Sequence, residues 1–338
     1  MRGGRWRRGL TLGGAALVLA AGAGLVSVRR ALDPAAPDAS PVLFEVARGQ
    51  SLASVACQLE RAGLVRDATA VEWLARARGL AGRLRAGEYR LSGALAPGEI
   101  LRRIAAGEIA TFEVVLPEGL AAHEVAARLE QAGLASASDF AAAARDPELA
   151  RALGVEGEGL EGYLFPDTYR LPHGLEPGEI ARILVGQFQT HWEALAPLAR
   201  ARGLSQREVV TLASIVEKET GAPGERPLIA SVFHNRLRRG MRLESDPTVI
   251  YGVAGFDGNL RRRDLDDAAN PYNTYQIAAL PPGPIASPGL AALRAVLEPA
   301  DTKLLYFVSR NDGTHQFSES YEQHLAAVAE YQRRGPRR

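Results

Sequence analysis

The chain has 338 residues, 46% of them apolar, with 40 basic and 39 acidic side chains and a formal charge of +1. Such a balance excludes nucleic-acid binding through a broad positive face, and the length favours two or three structural units. The single cysteine, Cys57, excludes an intramolecular disulfide, and none of the six histidines has an HExxH-type spacing, so neither a metal site nor a cofactor is expected.

Residues 1–8, "MRGGRWRR", are basic, and residues 9–28 follow without a charge. At roughly 1.5 Å per helical residue that run spans roughly 30 Å, the thickness of a bilayer's hydrocarbon core. A transmembrane helix over 9–28 is therefore expected. The four arginines before it outnumber the pair Arg29 and Arg30 after it, which keeps residues 1–8 cytoplasmic. The expected location is the inner membrane, single-pass, with the bulk of the chain on the periplasmic side. A cleaved signal peptide is the rival reading, since Ala20 to Gly24 are all small. Residues 29–41, rich in proline and alanine, read as a linker.

Two stretches repeat. "VARGQSLASVACQLERAGL" (46–64) and "VLPEGLAAHEVAARLEQAGL" (115–134) align Gly49, Val55, Leu59 and Gly63 with Gly119, Val125, Leu129 and Gly133. Each predicts a strand, a turn at the glycine, and a helix stopped by the glycine of "AGL". "LRAGEYRL" after the first copy predicts a second strand, and "APGEILRRIAAG" a short helix begun at Pro97. This strand–helix–helix–strand order, opened by V-x-x-G-Q-S-L, resembles the LysM carbohydrate-binding modules. A LysM-like module over 42–112 is the resulting expectation, with a mixed α+β catalytic domain over 113–335. Residues 157–162, "GEGLEG", match G-x-G-x-x-G formally, but no apolar strand precedes them and no helix follows, so no dinucleotide site is read there. Tyr163, Phe165 and Tyr169 in "YLFPDTYRL" are assigned to the core.

The chemistry concentrates in "SQREVVTLASIVEKETG". Ser205 and Glu208 form a capping-box signature, positions 209, 210, 212, 213, 215 and 216 make an apolar face, and Gly221 with Pro223 ends the helix. Glu217 and Glu219 then fall in the last turn. Carboxyls beside apolar surface and at the negative end of a helix dipole are pushed toward the neutral form, which suits a general acid. Lys218 opposes that shift. Helical geometry does not choose between the two glutamates.

"LASIVEKETGAPGERPLIASVFHNRLRRGMRLESDPTVIYG" (212–252), "NPYNTYQIAALPPGPIASPG" (270–289) and "LYFVSRNDGTHQFS" (305–318) together resemble the endolytic murein transglycosylase family, the MltG/YceG-like proteins. In the wider lytic transglycosylases the catalytic glutamate is followed directly by a small hydroxyl residue. Glu219–Thr220 fits that pattern and Glu217–Lys218 does not, so the resemblance assigns catalysis to Glu219 and keeps Glu217 in reserve.

What the resemblance implies is cleavage of the MurNAc-β-1,4-GlcNAc bond of peptidoglycan glycan strands. Glu219 would act as acid and then as base, and the muramyl 6-hydroxyl would close a 1,6-anhydro ring. It also makes peptidoglycan synthases expected partners. Asp246 is a possible second catalytic or binding carboxylate, and a muramidase hydrolase using Glu219 and Asp246 is the first alternative. A wall-binding scaffold without activity is the second. Asn270, Tyr272, Asn273, Tyr275 and Gln276 form a polar–aromatic cluster suited to sugar recognition, and residues 280–289 a rigid loop that would wall a cleft. Glu225 and Arg226 are expected to pair with each other. His234 and His315 are read as ordinary polar residues.

Overall fold

The computed structural model describes residues 26–27, 29–219 and 221–332. Apart from Val26 and Ser27, the expected membrane helix over 9–28 lies outside them. Among the described residues no helix is long and apolar enough to cross a membrane. The class is mixed α+β, with three two-stranded antiparallel sheets. Two compact units divide the chain, one ending at Thr111 and the other beginning at Phe112.

In the first unit β1 (Val42–Val46) leads through the left-handed Gly49 into α1 (Leu52–Arg61), whose start is capped by the Ser51 hydroxyl accepting from Ser54 N at 3.2 Å. Helix α2 (Ala68–Ala77) is capped in the same way by Asp67, and β2 (Gly87–Leu91) returns to pair with β1, placing Phe44 opposite Tyr89. Helix α3 (Pro97–Ala106) starts at Pro97, as the sequence predicts, and is stopped by Gly107 in the left-handed conformation. Val55, Leu59, Tyr89, Ile100 and Ile104 are buried in this unit's own core.

The second unit opens with the same construction. Strand β3 (Phe112–Leu116) is followed by α4 (Ala122–Gln131), α5 (Ala137–Ala144) and α6 (Pro147–Ala152), and β4 (Asp167–Leu171) pairs antiparallel with β3. The duplication runs further than the glycine and leucine matches alone indicate. "GEYRL" and "DTYRL" are the two returning strands, and "PGEI" starts both α3 and α7 (Pro177–Arg202). The hydroxyls of Tyr89 and Tyr169 each donate at 2.7 Å to the carbonyl four residues earlier, Arg85 and Phe165. The two copies differ: the second has an extra helix, α6, before its returning strand, and its core is shared. Val125 and Leu129 are buried in the same core as the helices that follow, so residues 115–134 are integral to the second unit.

That core is completed by α8 (Gln206–Glu219), α9 (Arg226–Arg238) and α12 (Leu290–Leu297), which pack on one another. Between α9 and α12 lie α10 (Asp246–Gly252) and the short α11 (Arg262–Leu265). The hairpin of β5 (Tyr306–Ser309) and β6 (His315–Ser318) follows, and α13 (Tyr321–Tyr331) packs on it.

Candidate active site

Helix α8 starts as expected: Ser205 N donates to the Glu208 carboxylate at 2.8 Å, and Glu208 N donates back to the Ser205 hydroxyl at 3.2 Å. It is buried more completely than a one-faced helix, since Thr211 and Ser214 are buried together with the apolar positions. Ser214 meets this by donating to Thr211 O at 2.7 Å and accepting from Ile285 N at 3.1 Å. The 280–289 loop is thus tied to the middle of α8.

The helix end sets its two glutamates to different tasks. The Glu217 side chain is only 5% exposed and accepts from Arg226 Nη2 at 2.7 Å and from Gly289 N at 2.9 Å. Both of its oxygens are committed to holding α8 against α9 and the loop. A Cβ at residue 289 would lie 1.8 Å from a Glu118 carboxylate oxygen, so a side chain there would displace the Glu118 side chain. Arg226 also reaches Glu118 at 3.5 Å, while Glu225 accepts from His315. The expected Glu225–Arg226 pair is therefore replaced by two partnerships in different directions.

Glu219 borders a cavity of about 350 Å³ together with Arg236, Glu244, Asp246, Tyr275 and His315. Its Oε1 accepts from the Ser245 hydroxyl, and its Oε2 has no hydrogen-bond partner among the described residues. Burial, reinforced by the Asp246 charge, pushes its pKa up to about 7, against the opposing effects of the Ser245 hydrogen bond, His315 and Arg236. The group is mostly protonated below about pH 7 and stands at the cavity wall. Thr220, the hydroxyl residue after it, lies outside the described residues.

Ser245 is held with little freedom. It is buried, its N–H donates to the Thr274 hydroxyl at 2.9 Å, and its carbonyl accepts from Thr248 at 2.7 Å. The two threonine hydroxyls meet at 2.8 Å. The preceding Glu244 has φ 55°, a left-handed conformation unusual for a non-glycine residue, and its N–H donates to Thr274 O at 3.2 Å. Arg236, buried on α9, donates to Leu305 O at 2.7 Å, to Leu243 O at 2.9 Å and to the Glu244 carboxylate at 3.0 Å. It joins the start of the hairpin to the turn that presents Ser245.

The other expected site residues separate by position. Asp246 and Tyr275 line the cavity with Glu219, and the Tyr275 hydroxyl donates to Asp246 Oδ1 at 2.7 Å. Asn270 is buried, donating to Val249 O at 3.1 Å and accepting from Tyr272 N at 2.9 Å. Asn273 is also buried and donates to the carbonyls of Asp264, Leu265 and Asp267 at 3.2, 3.1 and 2.8 Å. Gln276 donates to Leu265 O at 2.8 Å, and Tyr272 packs edge-on against Tyr251 at 4.8 Å. These four organise the loop that carries Thr274 and Tyr275. Arg236 and His315, which line the cavity, and Ser245, which bonds Glu219, are not singled out as site residues by the sequence. His234 instead bonds Val296 O at 2.8 Å.

Among the described residues no cluster of histidine, cysteine and carboxylate side chains is arranged to hold a metal ion. What the site offers is one protonated carboxyl, a fixed hydroxyl on one of its oxygens, and a polar cavity beside the other. That is the equipment of general acid catalysis on a neutral leaving group.

A family model described as the YceG-like family matches residues 44–330. Among curated relatives, an endolytic murein transglycosylase of Bacillus subtilis is 28% identical over 319 residues, covering 89% of this chain and 88% of that protein. An endolytic murein transglycosylase of Streptococcus pneumoniae is 28% identical over 323 residues, covering 86% of this chain but only 58% of the longer relative. The crystal structure of a YceG-like protein from Listeria monocytogenes superposes with a TM-score of 0.59 at 28% identity, over 85% of this chain and 98% of that one.

Proposed function

The chain belongs to the YceG-like family, and from that premise we propose that it is a peptidoglycan lytic transglycosylase whose general acid is Glu219. The observation that carries this reading is the Glu219 carboxyl itself, buried at the cavity wall, with a pKa of about 7 and Oε1 fixed by Ser245. The activity in the names of the B. subtilis and S. pneumoniae relatives supports the substrate class.

In the proposed reaction Glu219 gives its proton to the oxygen that leaves C1 of the muramyl residue, and the β-1,4 bond to N-acetylglucosamine breaks. The muramyl 6-hydroxyl then bonds to C1 and loses its proton, closing the 1,6-anhydro ring without consuming water. The Glu219 carboxylate finally regains a proton, which resets the acid for the next cycle. Asp246 shares the cavity and raises the Glu219 pKa through its charge, which keeps the acid protonated. Its bond from Tyr275 suits a fixed, sugar-facing acceptor.

Around this centre the reading places residues 9–28 in the inner membrane with the catalytic unit outside the cytoplasm. Cutting is then confined to strands near the bilayer, where peptidoglycan synthases are the partners. The strand–helix–helix–strand order of residues 42–91 supports a LysM-like, glycan-binding role for the first unit.

The test is to incubate the full chain and its Glu219→Gln form with uncrosslinked peptidoglycan and identify the new ends by mass spectrometry. The reading expects 1,6-anhydromuramyl ends from the parent and none from the variant. Reducing ends would identify a hydrolase and bring Asp246 forward as its second carboxylate. Intact glycan with retained binding would leave a scaffold.

A further inference from the structure

The same cavity is also bordered by a histidine, His315, that is paired with a carboxylate. His315, the first residue of β6, meets Glu225 through two hydrogen bonds: its backbone N–H donates to Oε1 at 2.8 Å, and its ring Nδ1 lies 2.7 Å from Oε2. A carboxylate only accepts, so this contact places a proton on Nδ1, and in the neutral ring Nε2 then keeps its lone pair. Nε2 has no hydrogen-bond partner among the described residues. The side chain is 13% exposed, with Phe307 edge-on at 5.4 Å, and it lines the cavity that Glu219 also lines. When protonated, the ring is close enough to act on the Glu219 carboxyl through its charge.

An imidazole whose Nδ1–H is held by a carboxylate and whose ring lines a reaction cavity is suited to take a proton from an attacking hydroxyl on Nε2. The proposed ring closure contains one such hydroxyl, and the cavity already holds the acid. Structural duty alone does not need a carboxylate cradling the ring and the backbone of one histidine at once. We infer that His315, oriented by Glu225, accepts the proton of the muramyl 6-hydroxyl as its oxygen bonds to C1; the inference rests on the anhydro-forming reading above. The atoms balance: O6 loses its proton to Nε2, the C1–O6 bond forms as the C1–leaving-oxygen bond breaks, and the leaving oxygen takes the Glu219 proton. The imidazolium then returns a proton to the Glu219 carboxylate, directly or through water, which resets both groups.

The test compares the full chain with His315→Gln and Glu225→Gln on uncrosslinked peptidoglycan, measuring the rate, the chemistry of the new ends, and glycan binding. For His315→Gln the inference expects formation of anhydro ends to fall about 100-fold, the scale of a lost general base. Binding should be retained, and reducing ends should appear in the residual product as water competes with the unassisted 6-hydroxyl. Glu225→Gln keeps the ring and a backbone acceptor, and should show a smaller loss of about tenfold with the same shift in product. If His315→Gln does not fold, the Glu225→Gln product ratio decides alone. Parental rates with only anhydro ends from a folded variant would overturn the inference, as would a slower reaction with unchanged ends and proportionate loss of binding. Reducing ends from the parent chain are a different failure, that of the anhydro reading itself.

Discussion

Two glutamates two positions apart at the end of α8 do opposite things because their surroundings differ. Glu217 accepts hydrogen bonds from Arg226 and from the Gly289 backbone N–H, and these tie the helix end to its neighbours. Glu219 has one hydroxyl donor, a nearby acid and a desolvated carboxyl, so its neutral form is favoured. Its raised pKa has a consequence for stability. Below about 4.5 the carboxyl is neutral in both folded and unfolded chains; between there and about 7 the unfolded chain releases a proton that the folded chain keeps. Stability therefore falls as pH rises through that window, by at most about 3 kcal/mol for this group. Glu219→Gln removes the cost, so its Tm should match the parent's near pH 4 and exceed it at pH 8, read by thermal unfolding. A gap independent of pH would contradict the assignment. Ser245→Ala should act in the other direction on catalysis. Losing a donor to the carboxylate raises the Glu219 pKa further, so the alkaline limb of the pH–rate profile should move to higher pH while the rate at its plateau drops.

At the scale of elements, the end of α8 is fixed by the ion pair that Glu217 makes with α9. Removing one partner of an enclosed pair leaves the other uncompensated. Glu217→Ala should therefore cost about 3 kcal/mol in denaturant unfolding, the reverse of the stabilisation expected at Glu219. The repeat offers a second test, since Leu59 on α1 and Leu129 on α4 are both fully buried at matching positions. Truncating either to alanine should cost its own unit about 2–5 kcal/mol. Helix α8, its cap, and the turn-and-helix pairs at Gly49 and Gly119 were legible because capping, apolar period and glycine turns are local. Ser245 and His315 were not legible as partners of the site. Their roles depend on a turn at Glu244 and a hairpin that bring distant segments to one cavity, and no spacing rule reports such a meeting. Asn270 and Asn273 illustrate the converse: amides that read as sugar-binding groups spend their hydrogen bonds on the loop that carries Tyr275.

For the whole molecule, the sequence expectation of a mixed α+β class agrees with the fold, and the two units have separate hydrophobic cores. The choice of catalyst needed more than pattern. Family resemblance pointed to Glu219, and burial supplies the physical reason why that carboxyl can be an acid near neutral pH. The proposed anchor belongs to this scale too. The full chain should stay with membranes through an alkaline wash and be released only by detergent, whereas a chain lacking residues 1–28 should be soluble; release of the full chain by alkali would remove the anchor from the account. The most direct measurement of the central claim is the pH dependence of kcat/KM for the formation of anhydromuramyl ends by the parent chain, alongside Glu219→Gln. The account predicts a rate that falls about tenfold per pH unit above a midpoint near the Glu219 value of about 7, and no measurable rate for the variant. A rate that stays level from about pH 6 to 9, or a Glu219→Gln chain that still cuts, would show that this carboxyl is not the acid.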